Sequence, residues 1–134
     1  ASFTDSLCEI QMNIAPAYPA QSGLTYYTRK ASLRKGREIQ ICDTFRFHEK
    51  ETDSAPDNTV ILSFMTYEKP TLKEQTDSLL FQVGQDAFMQ ISGVKLVGIE
   101  EIPITDARLR TAWDHEIYRT LVEATDTEIH ICVY

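Results

Sequence analysis

Two cysteines and two histidines are spaced so that they could bind a metal ion together. Cys42 and His48 lie an even number of residues apart in one predicted strand, and His130 and Cys132 lie two apart in another. Because side chains alternate between the two faces of a strand, each pair shares one face. Two thiolates and two imidazoles on neighbouring strands would suit a tetrahedral zinc ion. The sequence therefore offers Cys42, His48, His130 and Cys132 as a candidate metal site.

The same four residues admit other interpretations. Their spacing is not that of zinc sites built on turns, and side chains two apart on a strand are ~7 Å apart. In an exported protein Cys42 and Cys132 could form a disulfide, and a thiol beside an imidazole could serve as a catalytic nucleophile. No nucleophile elbow surrounds any of the cysteines. Ordinary side chains on a half-exposed sheet are the simplest explanation.

A cluster of basic residues forms a second candidate site. Five of the 13 basic residues lie between positions 29 and 37, namely Arg29, Lys30, Arg34, Lys35 and Arg37. Such a cluster at a hairpin tip could bind an anion or an acidic protein partner. The alternative is a solvated hairpin end that resists edge-to-edge aggregation, which the sequence favours.

Alternating apolar residues and turn signals predict a largely β-sheet scaffold for these sites. Gly36 is expected to form a hairpin turn, and Gly93 a bend where the apolar phase changes. Proline-containing loops are predicted at 15–23, 49–58, 68–78 and 100–106. The predicted strands are 7–14, 24–33, 38–48, 59–67, 79–83, 87–91, 94–99 and 127–133.

One helix is predicted near 115–125, just before the terminal strand. In one interpretation an apolar stripe makes 106–125 helical, whereas in the other 109–113 is a strand and Asp114 caps a shorter helix. Both interpretations bury Ile117 and Leu121, and Trp113 is assigned to the core. The stripe consists of Leu109, Ala112, Trp113, Ile117, Leu121 and Ala124.

Length and composition limit the classes of protein to which the chain can belong. Its 134 residues predict a single domain over 1–134, with an ordinary 43% of hydrophobic residues. The net charge of −7 makes nucleic-acid binding a poor expectation, because a polyanion repels an acidic protein. No run reaches the ~18 apolar residues of a membrane span. A start at Ala1 without methionine would fit a removed signal peptide, hence a weak expectation of export.

These observations predict an α+β domain that is mainly β. We expect an antiparallel curled sheet or two-layer sandwich of about seven or eight strands, with the helix closing one end or face. Because no catalytic motif is present, the expected function is non-enzymatic binding of a protein partner, with no cofactor. A small enzyme with a Cys/His site and a protein with structural zinc are the alternatives.

Overall fold

The chain folds into two antiparallel β-sheets, seen in a computed structural model that describes residues 1–48 and 59–134. The larger sheet has eight strands, and every neighbouring pair in it is antiparallel. In spatial order these are β1 (Ser2–Phe3), β2 (Leu7–Asn13), β3 (Leu24–Arg34), β4 (Glu38–Phe47), β11 (Glu128–Val133), β8 (Ala87–Ser92), β7 (Ser78–Val83) and β6 (Thr71–Gln75).

The smaller sheet has three strands, with β10 in its centre. Its order is β5 (Ile61–Thr66), β10 (Ile117–Ala124) and β9 (Val94–Ile102). Short 3₁₀ turns at Ala15–Ala17, Ala20–Ser22 and Leu109–Thr111 are the helical segments among the described residues. None of these turns is long and apolar enough to cross a membrane. The prediction of a mainly β, antiparallel protein is therefore confirmed.

The hydrophobic core lies between the two sheets. Phe81, Ile91 and Ile129 of the larger sheet are fully buried, and Val122 of the smaller sheet belongs to the same cluster. These residues follow the period-two alternation that sends every second side chain to one face of a strand. The larger sheet therefore has an inner face toward the core and an outer face toward solvent.

The predicted helix at 115–125 is wrong, because this segment forms strand β10. Tyr118, Thr120 and Val122 point into the core, and the alternate residues lie on the other face of the smaller sheet. Ile, Tyr, Thr and Val favour strands, since their branched or aromatic side chains fit a pleated surface. The three-to-four spacing of Ile117, Leu121 and Ala124 imitated a helical stripe because a central strand carries apolar residues on both faces.

The strand predicted at 109–113 in one interpretation is wrong, because Leu109–Thr111 forms a 3₁₀ turn. The remaining predicted strands agree with the observed strands to within a few residues. Strands β1 and β6 were not predicted: β1 has two residues, and β6 lies in the polar segment taken as the loop 68–78. Gly36 and Gly93 adopt positive φ angles of 71° and 77°, as their turn and bend positions require. The predicted loop at 49–58 lies outside the described residues.

Candidate functional site

The outer face of the larger sheet brings three of the four predicted metal ligands onto one surface. Strand β4 lies beside β11, and Cys42 is the direct cross-strand partner of His130. Cys132 lies two residues farther along β11, opposite Gln40. Directly opposed residues on antiparallel strands have Cβ atoms about 5 Å apart, so the Cys42 and His130 side chains are neighbours.

A carboxylate outside the predicted set of metal ligands completes this cluster. The ligand atoms of Cys42, Glu128 and His130 all lie within 4.8 Å of one another. The Glu128 carboxylate forms an ion pair with His130 Nε2 at 2.7 Å, provided that the imidazole is protonated. Since Glu128 and His130 are two apart on β11, the alternation that paired His130 with Cys132 could also have indicated Glu128.

His48 lies far from the other predicted ligands. It follows β4 at its far end, six residues beyond Cys42, which corresponds to about 20 Å of extended chain. The Cys132 thiol points instead to Glu38, with the sulfur 3.7 Å from Oε2. The four residues Cys42, His48, His130 and Cys132 therefore do not converge on a single point.

The environments of Cys42 and Cys132 are the opposite of those that activate a nucleophilic thiol. All three cysteines are free, and Cys42 and Cys132 are diagonal rather than direct neighbours. Burial raises the pKa of the Cys42 thiol above its ordinary value, and the charge of Glu128 adds to this effect. Burial also raises the pKa of Cys132, with a further contribution from Glu38. Because the thiolate is the reactive form, these surroundings favour the inert thiol.

The five basic residues of the sequence-predicted anion site do not form one cationic patch. Alternation along β3 places Arg29 on the inner face, where it pairs with Asp43. On the outer face Lys30 pairs with Glu9 at 2.7 Å. Arg34 pairs with Glu38 at 3.4 Å. Carboxylates thus compensate three of the five charges, while Lys35 and Arg37 lie in the hairpin turn region between β3 and β4.

Part of the apolar inner face of the larger sheet is not covered by the smaller sheet. Five large apolar side chains on the inner face of β1 to β4 are 39–67% exposed, although the rows of cross-strand partners on this face continue into the core. One row runs from Phe3 through Cys8 and Leu33 to Ile39 by cross-strand pairing. We name as the uncovered face the residues Phe3, Ile10, Met12, Leu33 and Ile39.

A cleft of about 840 Å³ lies between β5 of the smaller sheet and the part of the larger sheet's inner face next to the uncovered face. Strand β5 forms one wall, and β5 is an edge strand, since β10 is its only strand neighbour in the described parts of the chain. The opposite wall is the inner face of β3 and β4. Apolar and aromatic side chains dominate the lining, including Leu24, Tyr27, Ile41, Phe45, Phe47, Leu62 and Phe64.

An exposed aromatic group lies near the end of β5. The Tyr67 ring is 4.0 Å from the ring of His115 and 6.5 Å from that of Trp113, measured between centroids. The Tyr67 hydroxyl donates a hydrogen bond to Asp114, which raises the pKa of Tyr67 to about 12 and lowers that of Asp114. Trp113 is 38% exposed, so its assignment to the core was wrong, and Asp114 caps no helix.

Comparison with protein families and with curated proteins gave no match for this chain. No protein-family model matches it. No curated protein matches it either.

Proposed function

We propose that this chain is a non-enzymatic protein-interaction domain that binds a partner polypeptide over the uncovered face. The observation that carries the proposal is that apolar cross-strand rows extend from the core onto that face. Ile10 pairs with Ala31, and Ala31 pairs with the cleft residue Ile41, so the apolar rows of the core continue to the outer strands, where no other described part of the chain covers them.

The uncovered face leaves apolar surface in contact with water, which costs free energy. A β-sheet that is apolar on one face is stable when another layer covers that face. Each large side chain that moves from water to an apolar contact contributes about 1.5–3 kcal/mol when fully buried. Contiguous apolar patches beyond a few hundred Å² are rare on monomers and mark interaction sites. A partner layer over Phe3, Ile10, Met12, Leu33 and Ile39 would gain this free energy.

Strand β5 provides a place where such a layer could attach. Among residues 1–48 and 59–134, no strand pairs with the edge of β5 that faces away from β10, and this edge borders the cleft above β3 and β4. An added strand beside β5 would extend the smaller sheet across the uncovered face. The preferred partner is an extended segment with apolar residues at alternate positions, because every second side chain would point down into the cleft.

The charges in the cleft agree with an apolar partner. Arg29 lies on the cleft lining, and its charge is compensated by Asp43 at 2.6 Å. A partner segment therefore needs no ionised side chain to occupy the cleft. The net charge of −7 also disfavours a nucleic-acid partner.

Site-specific photo-crosslinking tests the proposal, with a matched control one residue away. Benzoylphenylalanine at Met12 projects from the uncovered face, whereas at Gln11 it projects from the outer face of the same strand. In lysate of the native cell we expect a discrete adduct with a partner polypeptide from position 12 and none from position 11. The substitution Ile10→Glu should remove this adduct, whereas Gln11→Glu should leave it unchanged.

Three outcomes would overturn the proposal. One is equal adduct formation from positions 11 and 12. Another is formation of adducts only with a second copy of the chain, which would indicate self-association instead of a partner. The third is persistence of the position-12 adduct in the Ile10→Glu variant. Thermal unfolding of each variant must first show that the domain still folds.

A further inference from the structure

We propose that Cys42, Glu128 and His130 form a binding site for a thiophilic divalent cation such as zinc. This site lies on the outer face of the larger sheet, opposite the uncovered face. Its three ligand atoms come from a thiol, a carboxylate and an imidazole, and all lie within 4.8 Å of one another. The site is independent of the proposed interaction function.

The distances are compatible with a shared metal ion after small side-chain movements. Zinc binds sulfur at about 2.3 Å and nitrogen or oxygen at about 2.0–2.2 Å, so ligand atoms in a tetrahedral site are roughly 3.5 Å apart. The 2.7 Å contact between Glu128 and His130 would open slightly, and the Cys42 sulfur would need to approach by no more than about 1.3 Å. Rotation about side-chain torsions supplies such movements without any change in the backbone.

The backbone that carries the ligands is held by strands on both sides. Strand β4 lies between β3 and β11, and β11 lies between β4 and β8. Cys42 and His130 are opposed in the ladder, and Glu128 is opposed to Thr44 on the same face. Because neither strand is an edge strand, the separation of the three ligands is fixed by ladder hydrogen bonds.

The donor set defines the class of cation. A thiolate with an imidazole favours zinc and similar borderline-soft ions over magnesium or calcium, which prefer oxygen ligands. A bound thiolate and carboxylate together carry two negative charges, which match a divalent ion. Lys30, the partner of Cys42 on β3, adds little repulsion because it pairs with Glu9. Three protein ligands leave a fourth coordination position for water or for a group of another molecule.

Cys132 provides a control on the same surface. It is two residues from His130 on the same face of β11, it is similarly half-buried, and its sulfur is directed to Glu38. A cation that bound thiols without regard to geometry would use Cys132 as readily as Cys42. A cation held by the proposed site would depend on Cys42 alone among the cysteines.

Cobalt titration of the reduced, metal-free chain tests the site. Cobalt(II) replaces zinc in tetrahedral sites, and a thiolate ligand gives it a charge-transfer absorption in the near ultraviolet. We expect one equivalent of cobalt to produce this absorption and zinc to displace it. Cys42→Ser should abolish the absorption, His130→Gln should weaken cobalt binding by roughly tenfold or more, and Cys132→Ser should change neither.

Two results would overturn the inference. The wild-type chain could show no saturable charge-transfer absorption with cobalt. Alternatively, the absorption could survive Cys42→Ser and disappear with Cys132→Ser or Cys8→Ser. Unfolding of each variant without metal gives the required control, because a variant that keeps the wild-type melting temperature has lost only the ligand.

Discussion

Arg29 and Asp43 are cross-strand partners whose ion pair lies on the apolar inner face of the larger sheet. Arg29 Nε donates to Asp43 Oδ1 at 2.7 Å, and Nη2 donates to Oδ2 at 2.6 Å. The Tyr27 hydroxyl also donates to Oδ2, at 3.0 Å. Asp43 is fully buried, whereas 35% of the Arg29 side chain is exposed. The pair thus places a buried carboxylate and its counter-charge beside the cleft.

Removing Arg29 should destabilise the domain far more than removing its neighbour Lys30. We expect Arg29→Ala to lower the free energy of unfolding by about 3–5 kcal/mol, because Asp43 would remain buried without a counter-charge. Lys30→Ala removes an exposed ion pair with Glu9 and should cost less than about 1 kcal/mol. Urea unfolding of the two variants measures both effects. Equal losses would contradict a buried role for the pair.

Of the two partners in this ion pair, Asp43 can be recognised from the sequence and Arg29 cannot. Asp43 is recognisable as the polar exception on the apolar face of its predicted strand. Arg29 was grouped with the basic residues near the hairpin tip, because proximity in sequence ignores the face on which each side chain lies. Alternation along β3 places Arg29 on the face opposite to Lys30 and Arg34, and the hairpin register then sets it beside Asp43. The register of a hairpin depends on its turn type and loop length, which the alternation of apolar residues alone does not specify.

Alkaline pH should weaken the fold through Tyr27. Burial, followed by the charge of Asp43, raises the pKa of Tyr27 from 10.0 to about 12. The unfolded chain therefore ionises first, so the stabilisation present below pH 10 is lost as the pH rises from 10 to 12. The expected loss is about 2–3 kcal/mol.

A comparison of two phenylalanine variants isolates this contribution. Tyr27→Phe has a lower stability at neutral pH, but its decline between pH 10 and 12 should be smaller than that of the wild type. Tyr26→Phe, which alters an exposed residue one position away, should retain the full wild-type decline. Urea unfolding across this range gives the measurement. Parallel curves for the two variants would show that Tyr27 does not govern the alkaline transition.

The closing region shows where local pattern and global fold disagree. Ile117, Leu121 and Ala124 have helical spacing. The segment nevertheless forms a strand, because β5 and β9 provide hydrogen-bonding partners on both sides of β10. A strand is indicated by Tyr118, Thr120 and Val122, because these residues alternate and all favour strands. Hairpins such as β3–β4 and β7–β8 were predictable, since alternation and a glycine-containing turn reinforce each other there.

Gly93 should tolerate alanine less well than Gly36, although both adopt positive φ angles. Alanine in the left-handed region costs about 1–2 kcal/mol, and Gly36 has open space around its missing side chain. At Gly93 a Cβ atom would lie 2.6 Å from the backbone oxygen of Glu128. We therefore expect Gly93→Ala to cost about 1–3 kcal/mol more than Gly36→Ala. Chemical unfolding of the two variants would contradict this contact if their losses were equal.

Thr120 is the place where a substitution should stabilise the domain. It is fully buried on the inner side of β10, and its hydroxyl has no hydrogen-bond partner among the described residues. Thr120→Val replaces the hydroxyl with a methyl group of similar size and keeps the β-branched shape that suits a strand. We expect a gain of about 1–2 kcal/mol, because the desolvation cost of an unpaired hydroxyl disappears.

Thr66→Val, on the neighbouring strand β5, is the control for this substitution. The Thr66 hydroxyl donates a hydrogen bond to the Glu68 carbonyl oxygen at 2.8 Å. That variant loses a hydrogen bond and should be neutral or less stable than the wild type. The melting temperature should therefore rise in Thr120→Val and should stay the same or fall in Thr66→Val. If Thr120→Val instead destabilised the domain as much as Thr66→Val, the Thr120 hydroxyl would have to form a hydrogen bond in solution.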